Sequence, residues 1–231
     1  MPSKAWKSFD QNAQDIERLL ELHQEKGGTS PGRRRGLEVL NKSAIVLITS
    51  YWEAYCEDIA TEGLEHIVQH GRSPDQLPKE IKQIIAKELK ADPNDLSVWS
   101  LCGEGWKTIL KTRLDHLRDQ RNRKLNTPRT QNIDDLFLQA LGLSSISSSW
   151  KWPKKMTIDR ARNKLDNYVT LRGEIAHRGI AANAVTKNQV EDYFYFIKRL
   201  VSKTGSAVNS HARKITGKPL WELLRRRQRS I

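Results

Sequence analysis

From Leu40 to Ile59 the chain reads L-N-K-S-A-I-V-L-I-T-S-Y-W-E-A-Y-C-E-D-I, the most apolar helical pattern in the sequence. The main apolar stripe begins at Leu37 and continues at helical spacing, and a second apolar face includes Val46 and Cys56. A helix that is apolar on two sides lies at the centre of a bundle or at a contact between subunits. The sequence therefore predicts a central helix over about residues 37–64.

An arginine interrupts the apolar stripe of another helix, which is predicted to begin near Thr157. That stripe runs at 3-4-3 spacing through Ile158, Ala161, Leu165 and Tyr168. Its next position is Arg172, and a guanidinium in an apolar stripe is costly unless an anionic group pairs with it. The anion can be a carboxylate or a phosphate. Glu53, on the second apolar face of the central helix, is the candidate carboxylate.

His177 follows Arg172 by five residues, close to the predicted end of the helix at Gly179. Arginine can bind a phosphate through two parallel hydrogen bonds, and histidine can transfer a proton near neutral pH. Five residues along an ideal helix correspond to about 140° of rotation, so the two side chains meet only if the arginine reaches around a helix that ends there. Arg18 and His23 have the same spacing, but there the histidine lies in the apolar stripe and is expected to be a core residue.

Weaker patterns predict further helices and no strand of useful length. We expect a first helix over residues 4–25, one over residues 78–89, one beginning near Trp106, a short helix capped by Asn132 and ended by Gly142, and a last long helix opened by a capping box at Thr186 and Gln189. The predicted fold class is all-α, an antiparallel helical bundle. We divide it into an N-terminal helix and basic loop (residues 1–36), a helical domain (37–204) and a basic extension (205–231).

The charge of the chain points to a polyanionic partner. Its 40 lysines and arginines outnumber 27 acidic residues, which gives a net charge of +13 and a pI of about 9.8. The basic clusters are Arg33–Arg35, the stretch from Arg118 to Arg129, and the C-terminal tail. The alternative explanation of the charge is a basic surface that only keeps the protein soluble.

Neither a membrane-spanning run nor a secretory signal is evident, and two cysteines make no disulfide framework, so we expect a cytoplasmic protein without a membrane partner.

Three segments resemble one known family. The motif R-G-E-I-A-H-R-G, residues 172–179, resembles the R-x(4–6)-H motif of the HEPN superfamily. Residues 40–59 are similar to the second-helix signature of its RiboL-PSP-HEPN group, and N-I-D-D-L-F-L-Q-A-L-G-L, residues 132–143, is similar to another segment of that group. Many HEPN nucleases have Asn or Asp directly after the arginine, whereas this chain has Gly173.

The resemblance implies a helical bundle, usually dimeric, with metal-independent endoribonuclease activity, no cofactor, and a place in toxin, antiphage or stress systems. Arg172 and His177 would be the catalytic pair, and Glu53 matches the acidic residue of the second-helix signature. Two more residues are assigned a supporting role, Glu174 and Tyr168. The expected RNA-binding residues are Arg178, Arg33, Arg34, Arg35, Arg121, Arg123 and Lys124.

In the expected reaction the 2′-OH of RNA attacks the phosphorus, and the product carries a 2′,3′-cyclic phosphate. The expected partners are RNA, a second subunit and an antitoxin or defence-complex protein.

Two alternative functions remain. In one, Arg172 only pairs with Glu53, His177 is favoured by the helix dipole, and the protein is a non-catalytic binding module. In the other, the basic stretch from Arg113 to Arg129 belongs to a DNA-binding regulator. His66 and His70 share i,i+4 spacing, but a solvated helix face is the expected explanation and no metal site is predicted.

Overall fold

The computed structural model describes residues 3–27, 37–120, 127–153, 156–178 and 184–222. These residues form seven α-helices: α1 (Lys4–Gly27), α2 (Glu38–His70), α3 (Lys79–Lys90), α4 (Gly105–Gln120), α5 (Thr130–Leu141), α6 (Ile158–Arg178) and α7 (Lys187–Thr216). Three short 3-10 helices lie at Pro74–Gln76, Asp95–Leu101 and Ile146–Ser149. Within the described ranges the one β feature is an isolated bridge between Trp152 and Met156. The predicted all-α class is therefore confirmed.

Helix α2 is the centre of the bundle, and it packs against α1, α4, α5, α6 and α7. Its buried residues lie on all sides of the helix, as the two apolar faces of the sequence predict. Trp52 is fully buried there, stacks on Tyr55 with ring centroids 6.1 Å apart and meets the edge of Trp150 at 5.9 Å. The Nε1–H of Trp150 donates to Thr204 Oγ1 at 2.9 Å. This aromatic cluster joins α2, α7 and the segment before α6 into one core.

Chain neighbours in the bundle run antiparallel. The Glu62 carboxylate near the end of α2 accepts hydrogen bonds from the backbone N–H groups of Lys4 and Ala5 at the start of α1, each at 3.1 Å. Further along, the Tyr51 hydroxyl donates to Asp15 Oδ2 at 2.8 Å. Helices α6 and α7 also run in opposite directions, because Lys164 contacts Phe196 and Asp192 while Tyr168, one turn further along α6, bonds to Gln189.

Helices α2 and α7, by contrast, run parallel. Near their N-terminal halves the hydroxyls of Thr49 and Tyr193 lie 3.0 Å apart. One to two turns further on, the Tyr55 hydroxyl donates to the backbone carbonyl of Val201 at 2.9 Å. The central parallel pair brings residues of α2 and α7 to the same end of the bundle as the C-terminal half of α6.

Three sequence predictions concern helix ends: the capping box of α7, the end of α5 at Gly142 and the cap of α5 at Asn132. The capping box of α7 is confirmed, because the Gln189 N–H donates to Thr186 Oγ1 while the Thr186 N–H donates to Gln189 Oε1. The αL conformation of Gly142, with φ of 67°, confirms the end of α5. The cap at Asn132 is wrong: α5 begins at Thr130, whose N–H donates to the Asp166 carboxylate of α6 at 2.8 Å. A side chain that is distant in sequence supplies the cap.

None of the described helices combines the length and apolarity that crossing a membrane would need. The predicted division at residues 36 and 204 stays a prediction, and residues 28–36 and 223–231 lie outside the described residues.

We predict that Gly142→Ala destabilises the protein by about 2–4 kcal/mol, because alanine is strained at positive φ and its Cβ would overpack the site. An ideal Cβ at Gly142 would lie 2.8 Å from Ile81 Cγ1 and 2.9 Å from Pro78 Cβ. Gly217 has a φ of 75° with no neighbouring atom within 4 Å, so Gly217→Ala isolates the backbone cost of about 1–2 kcal/mol. Urea unfolding measures both losses, and equal losses would show that the crowding at Gly142 has no energetic effect.

Candidate functional site

The two motif residues lie in one surface groove at the C-terminal end of α6. The groove has a volume of about 470 Å³ and is bounded by α6 on one side and the segment that enters α5 on the other. Its lining residues are Thr127, Arg129, Val169, Thr170, Arg172, Gly173 and His177. We call it the Arg172 groove. It is basic, because its lining, as far as the structure describes it, includes two arginines and a histidine and no acidic residue.

The arrangement of α6 explains how residues about 140° apart share this groove. Val169, Gly173 and His177 are spaced by four residues, so they form one continuous helix face. Arg172 lies beside that face, in the apolar stripe, where the structure makes it half-buried with its Nε atom screened from solvent. No atom lies within 4 Å of an ideal Cβ at Gly173, so the helix leaves open space in the groove that Arg172 and His177 line.

The positive charge of Arg172 lowers the pKa values of groups on two other helices. Burial raises the pKa of Glu53 on α2 to about 7, and the nearby Arg172 charge lowers it in part. Burial also raises the pKa of Tyr193 on α7, against a smaller lowering to which the Arg172 charge contributes. The guanidinium is therefore within electrostatic range of a carboxyl of α2 and a phenol of α7. The pairing of Arg172 with Glu53 stays a prediction. These surroundings explain how the apolar stripe accommodates a charge.

A stacked pair of tyrosines supports this end of the bundle. The rings of Tyr168 and Tyr193 stack with centroids 4.0 Å apart and an interplanar angle of 11°. The Tyr168 hydroxyl donates to Asp192 Oδ2 at 2.8 Å, and burial followed by this bond raises its pKa. Because the Thr49 hydroxyl donates to the Ile45 carbonyl at 2.9 Å, its oxygen accepts the hydrogen bond from Tyr193. Both rings are thus held by polar contacts at their outer ends.

The opposite wall of the groove is attached to α6 by hydrogen bonds. Arg129 is exposed, and its Nη2–H donates to Thr170 Oγ1 at 2.9 Å. The Thr170 hydroxyl in turn donates to the Asp166 carbonyl at 2.9 Å, and the Asp166 carboxylate holds the start of α5 at Thr130. Sequence reasoning placed Arg129 only at the end of a basic stretch, and it did not assign Thr170 or Tyr193 to the site because neither has a local pattern that distinguishes it from other surface or core residues.

The remaining predicted site residues lie either outside the lining of the Arg172 groove or outside the described part of the structure. Glu174 is half-buried on α6 and lies outside the set that lines the Arg172 groove. Arg178 is the last residue of α6, and its side chain lies outside the described part of the structure. The same holds for the whole of the two basic segments that contain Arg33, Arg34, Arg35, Arg121, Arg123 and Lys124.

The histidines outside the groove are mostly structural. His23 is buried while Arg18 is exposed and pairs with Glu21, as expected for a core histidine. The expectation of a solvated face at His66 is wrong: His66 is buried, and its Nε2 lies 3.0 Å from the backbone carbonyl of Lys218. Burial lowers its pKa. Among the described residues no group of three or more histidine, cysteine or acidic side chains is positioned to hold a metal ion.

These features define a helical bundle with an arginine and a histidine in one basic groove. The model of the RiboL-PSP-HEPN family matches residues 10–210, and the protein belongs to this family within the HEPN superfamily. Comparison with curated proteins and with solved structures finds no match. HEPN domains are often ribonucleases, so membership indicates a nuclease or RNA-binding module.

We expect Glu53 to make the stability of the protein pH-dependent. The folded-state pKa of about 7 exceeds the ordinary value of 4.5, so the stabilisation is complete below about pH 4.5. It is lost as the pH rises to about 7, because the unfolded state ionises first. Glu53→Gln should therefore reduce the change in free energy of unfolding between pH 4.5 and 7, as measured by urea titrations.

The matched control is Glu104→Gln, which removes a carboxylate whose side chain is 71% exposed and should leave the pH profile unchanged. An unaltered profile in Glu53→Gln, or equal changes in both variants, would contradict the assignment.

Gly173 gives a second prediction, about what the groove requires. Glycine in a helix interior destabilises by about 0.5–1 kcal/mol relative to alanine, and no neighbour would clash with a Cβ here, so Gly173→Ala should stabilise the protein by that amount. Gly205→Ala is the control, because its Cβ would lie 2.6 Å from the Tyr55 hydroxyl and should destabilise. Thermal unfolding distinguishes them. Loss of stability in Gly173→Ala would mean that packing, rather than the open groove, requires glycine.

Proposed function

We propose that the protein is a metal-independent endoribonuclease whose catalytic residues are Arg172 and His177. The observation that supports this most directly is that both side chains line one basic, open groove. The histidine is exposed and available to a substrate, while the arginine is half-buried and oriented by the bundle. Phosphodiester cleavage needs a positive charge that holds the phosphate and a group that transfers a proton. Arg172 would supply the charge, and His177 would transfer the proton.

RNA provides its own nucleophile in this reaction. His177 accepts the proton of the 2′-OH or donates one to the departing 5′-oxygen, and the 2′-oxygen forms a bond to phosphorus as the bond to the 5′-oxygen breaks. The products are a 2′,3′-cyclic phosphate and a 5′-hydroxyl. Arg172 holds the phosphate oxygens through charge-assisted hydrogen bonds that strengthen as negative charge develops. Glu53 and Tyr193 act as positioning residues for Arg172.

A homodimer would complete the acid–base chemistry. His177 is the one histidine among the residues that line the groove, and a single imidazole cannot be both base and acid in one concerted step. An isologous dimer with two adjoining grooves brings a second His177 to the same RNA. We further propose that the protein acts as a toxin or antiphage effector that an antitoxin or defence-complex partner restrains.

Basic residues that adjoin the groove lining in the sequence would contribute non-specific affinity for RNA. Lys124 precedes Thr127, a lining residue, by three positions in the sequence, and Arg178 directly follows His177. Contacts of such residues with phosphates release counterions, so RNA binding should weaken steeply as salt is added.

A non-catalytic binding module is the second candidate function. The proximity of Arg172 to Glu53 and Tyr193 favours it, because an arginine with such partners can have a purely structural role. His177 lies in the last turn of α6, where the helix dipole favours positive charge. In that case His177→Ala would leave both RNA binding and any effect on host growth unchanged.

The decisive experiment compares His177→Ala with His116→Ala, which changes an exposed histidine of α4 outside the groove. With EDTA present, we expect His177→Ala to lower the cleavage rate by about 10²–10⁴-fold, the usual contribution of a general acid or base. Binding of a non-cleavable 2′-O-methyl RNA should persist, and His116→Ala should cleave normally. Arg172→Ala should impair both binding and cleavage.

Mass spectrometry of the products tests for the 2′,3′-cyclic phosphate. Strict dependence on Mg²⁺, or undiminished cleavage by a variant lacking both Arg172 and His177, would contradict the proposed site. Toxicity on expression in bacteria, compared between the unsubstituted protein and His177→Ala, distinguishes the nuclease from the binding module.

A further inference from the structure

Arg129 is the second arginine of the Arg172 groove, and its surroundings fix where it points. Its backbone lies between the buried Pro128 and Thr130, whose N–H is held by Asp166. The ring of proline restricts the chain on one side, and the hydrogen bond to Asp166 anchors it on the other. The hydrogen bond from Nη2 to Thr170 then orients the guanidinium along the groove wall.

The hydrogen-bond partner of Arg129 is a neutral hydroxyl, that of Thr170. Arg18 and Arg113, by contrast, form ion pairs with Glu21 and Glu88. A guanidinium has five N–H donors in one plane, so one bond to Thr170 orients it without exhausting its capacity to bind oxygen atoms.

The position of Arg129 relative to Arg172 indicates what it binds. Arg129 and Arg172 line the same groove, and Thr170, which holds Arg129, is part of that lining on α6. The groove volume of about 470 Å³ is at the lower end of the range of small-ligand sites, so it admits a short stretch of one strand. Each of the two guanidiniums has the donors to bind one phosphate of such a strand.

We propose that Arg129 forms a second phosphate subsite, which binds the phosphate adjacent to the one that Arg172 binds. The inference rests on the proposed function only in taking Arg172 as the residue at the scissile phosphate. The preferred ligand is then a ribonucleotide strand with at least two consecutive phosphates. Thr170 is a positioning residue, because it acts on the ligand through Arg129.

The test measures binding of three 2′-O-methyl dinucleotides by NMR titration of the full chain: one with only its internal phosphate, one with an added 5′-phosphate and one with an added 3′-phosphate. In the unsubstituted protein, one terminal phosphate should strengthen binding by about tenfold, in the range expected for a hydrogen bond to a charged group. In Arg129→Ala that gain should fall below about twofold. Thr170→Val, which removes the acceptor, should lose part of the gain, and Thr170→Ser should retain it.

The matched control is Arg199→Ala on α7. Arg199 is also an exposed arginine held by a hydroxyl, since its Nη2–H donates to Tyr195 at 2.7 Å, but it lies outside the groove lining. Retention of the tenfold gain in Arg129→Ala would overturn the proposal, as would an equal loss in Arg199→Ala, which would indicate net charge alone. Absence of a gain from either phosphate in the unsubstituted protein, including absence of binding, would also overturn it.

Cleavage of a ribose trinucleotide is assayed separately. If binding shows the phosphate gain and its loss in Arg129→Ala, but no cleavage occurs, the subsite stands and the nuclease proposal fails. If cleavage occurs without a phosphate gain, the nuclease proposal stands and the subsite fails.

Discussion

The arrangement at this end of the bundle depends on how one positive charge is accommodated beside an apolar core. Arg172 continues the stripe that buries Ala161 and Leu165, so α6 can pack only if polar groups face the guanidinium. Glu53 of α2 and the Tyr193 hydroxyl of α7 are near enough for the charge to alter their pKa values. The parallel direction of α2 and α7 brings both groups to the end of the bundle where α6 terminates.

The Glu53 carboxyl balances the positive charge of Arg172 only in part. A fully neutralised ion pair would hold the arginine in place but leave little attraction for an incoming anion. Burial raises the pKa of Glu53 to about 7, so near neutral pH this carboxyl is only partly ionised and its countercharge is partial. In the proposed function, Arg172 would thus retain attraction for a phosphate, and the described residues of the groove lining add positive charge without an acidic side chain.

Helix positions and the place of Arg172 in the apolar stripe of α6 could be predicted from the sequence because they depend on local periodicity. The stripe of α6 isolates Arg172 as the exception, the second face of α2 contains Glu53, and the capping box marks the start of α7. Contacts between distant segments could not be predicted. Asp166 displaces Asn132 as the cap of α5, and Tyr193 is one aromatic residue among several in an apolar stripe until α7 is packed against α2.

Gly173 is a feature of the groove that helical periodicity does not predict. Helix propensity disfavours glycine there, and the structure offers no packing reason for it, since a Cβ would meet no neighbour. The absence of a side chain instead keeps the space between the Val169–His177 face and the Arg172 side chain open. A residue that contributes nothing to the core but leaves room beside Arg172 and His177 is what the proposed binding of RNA in this groove would require. The groove is therefore shaped as much by a missing side chain on α6 as by the arginines on its two walls.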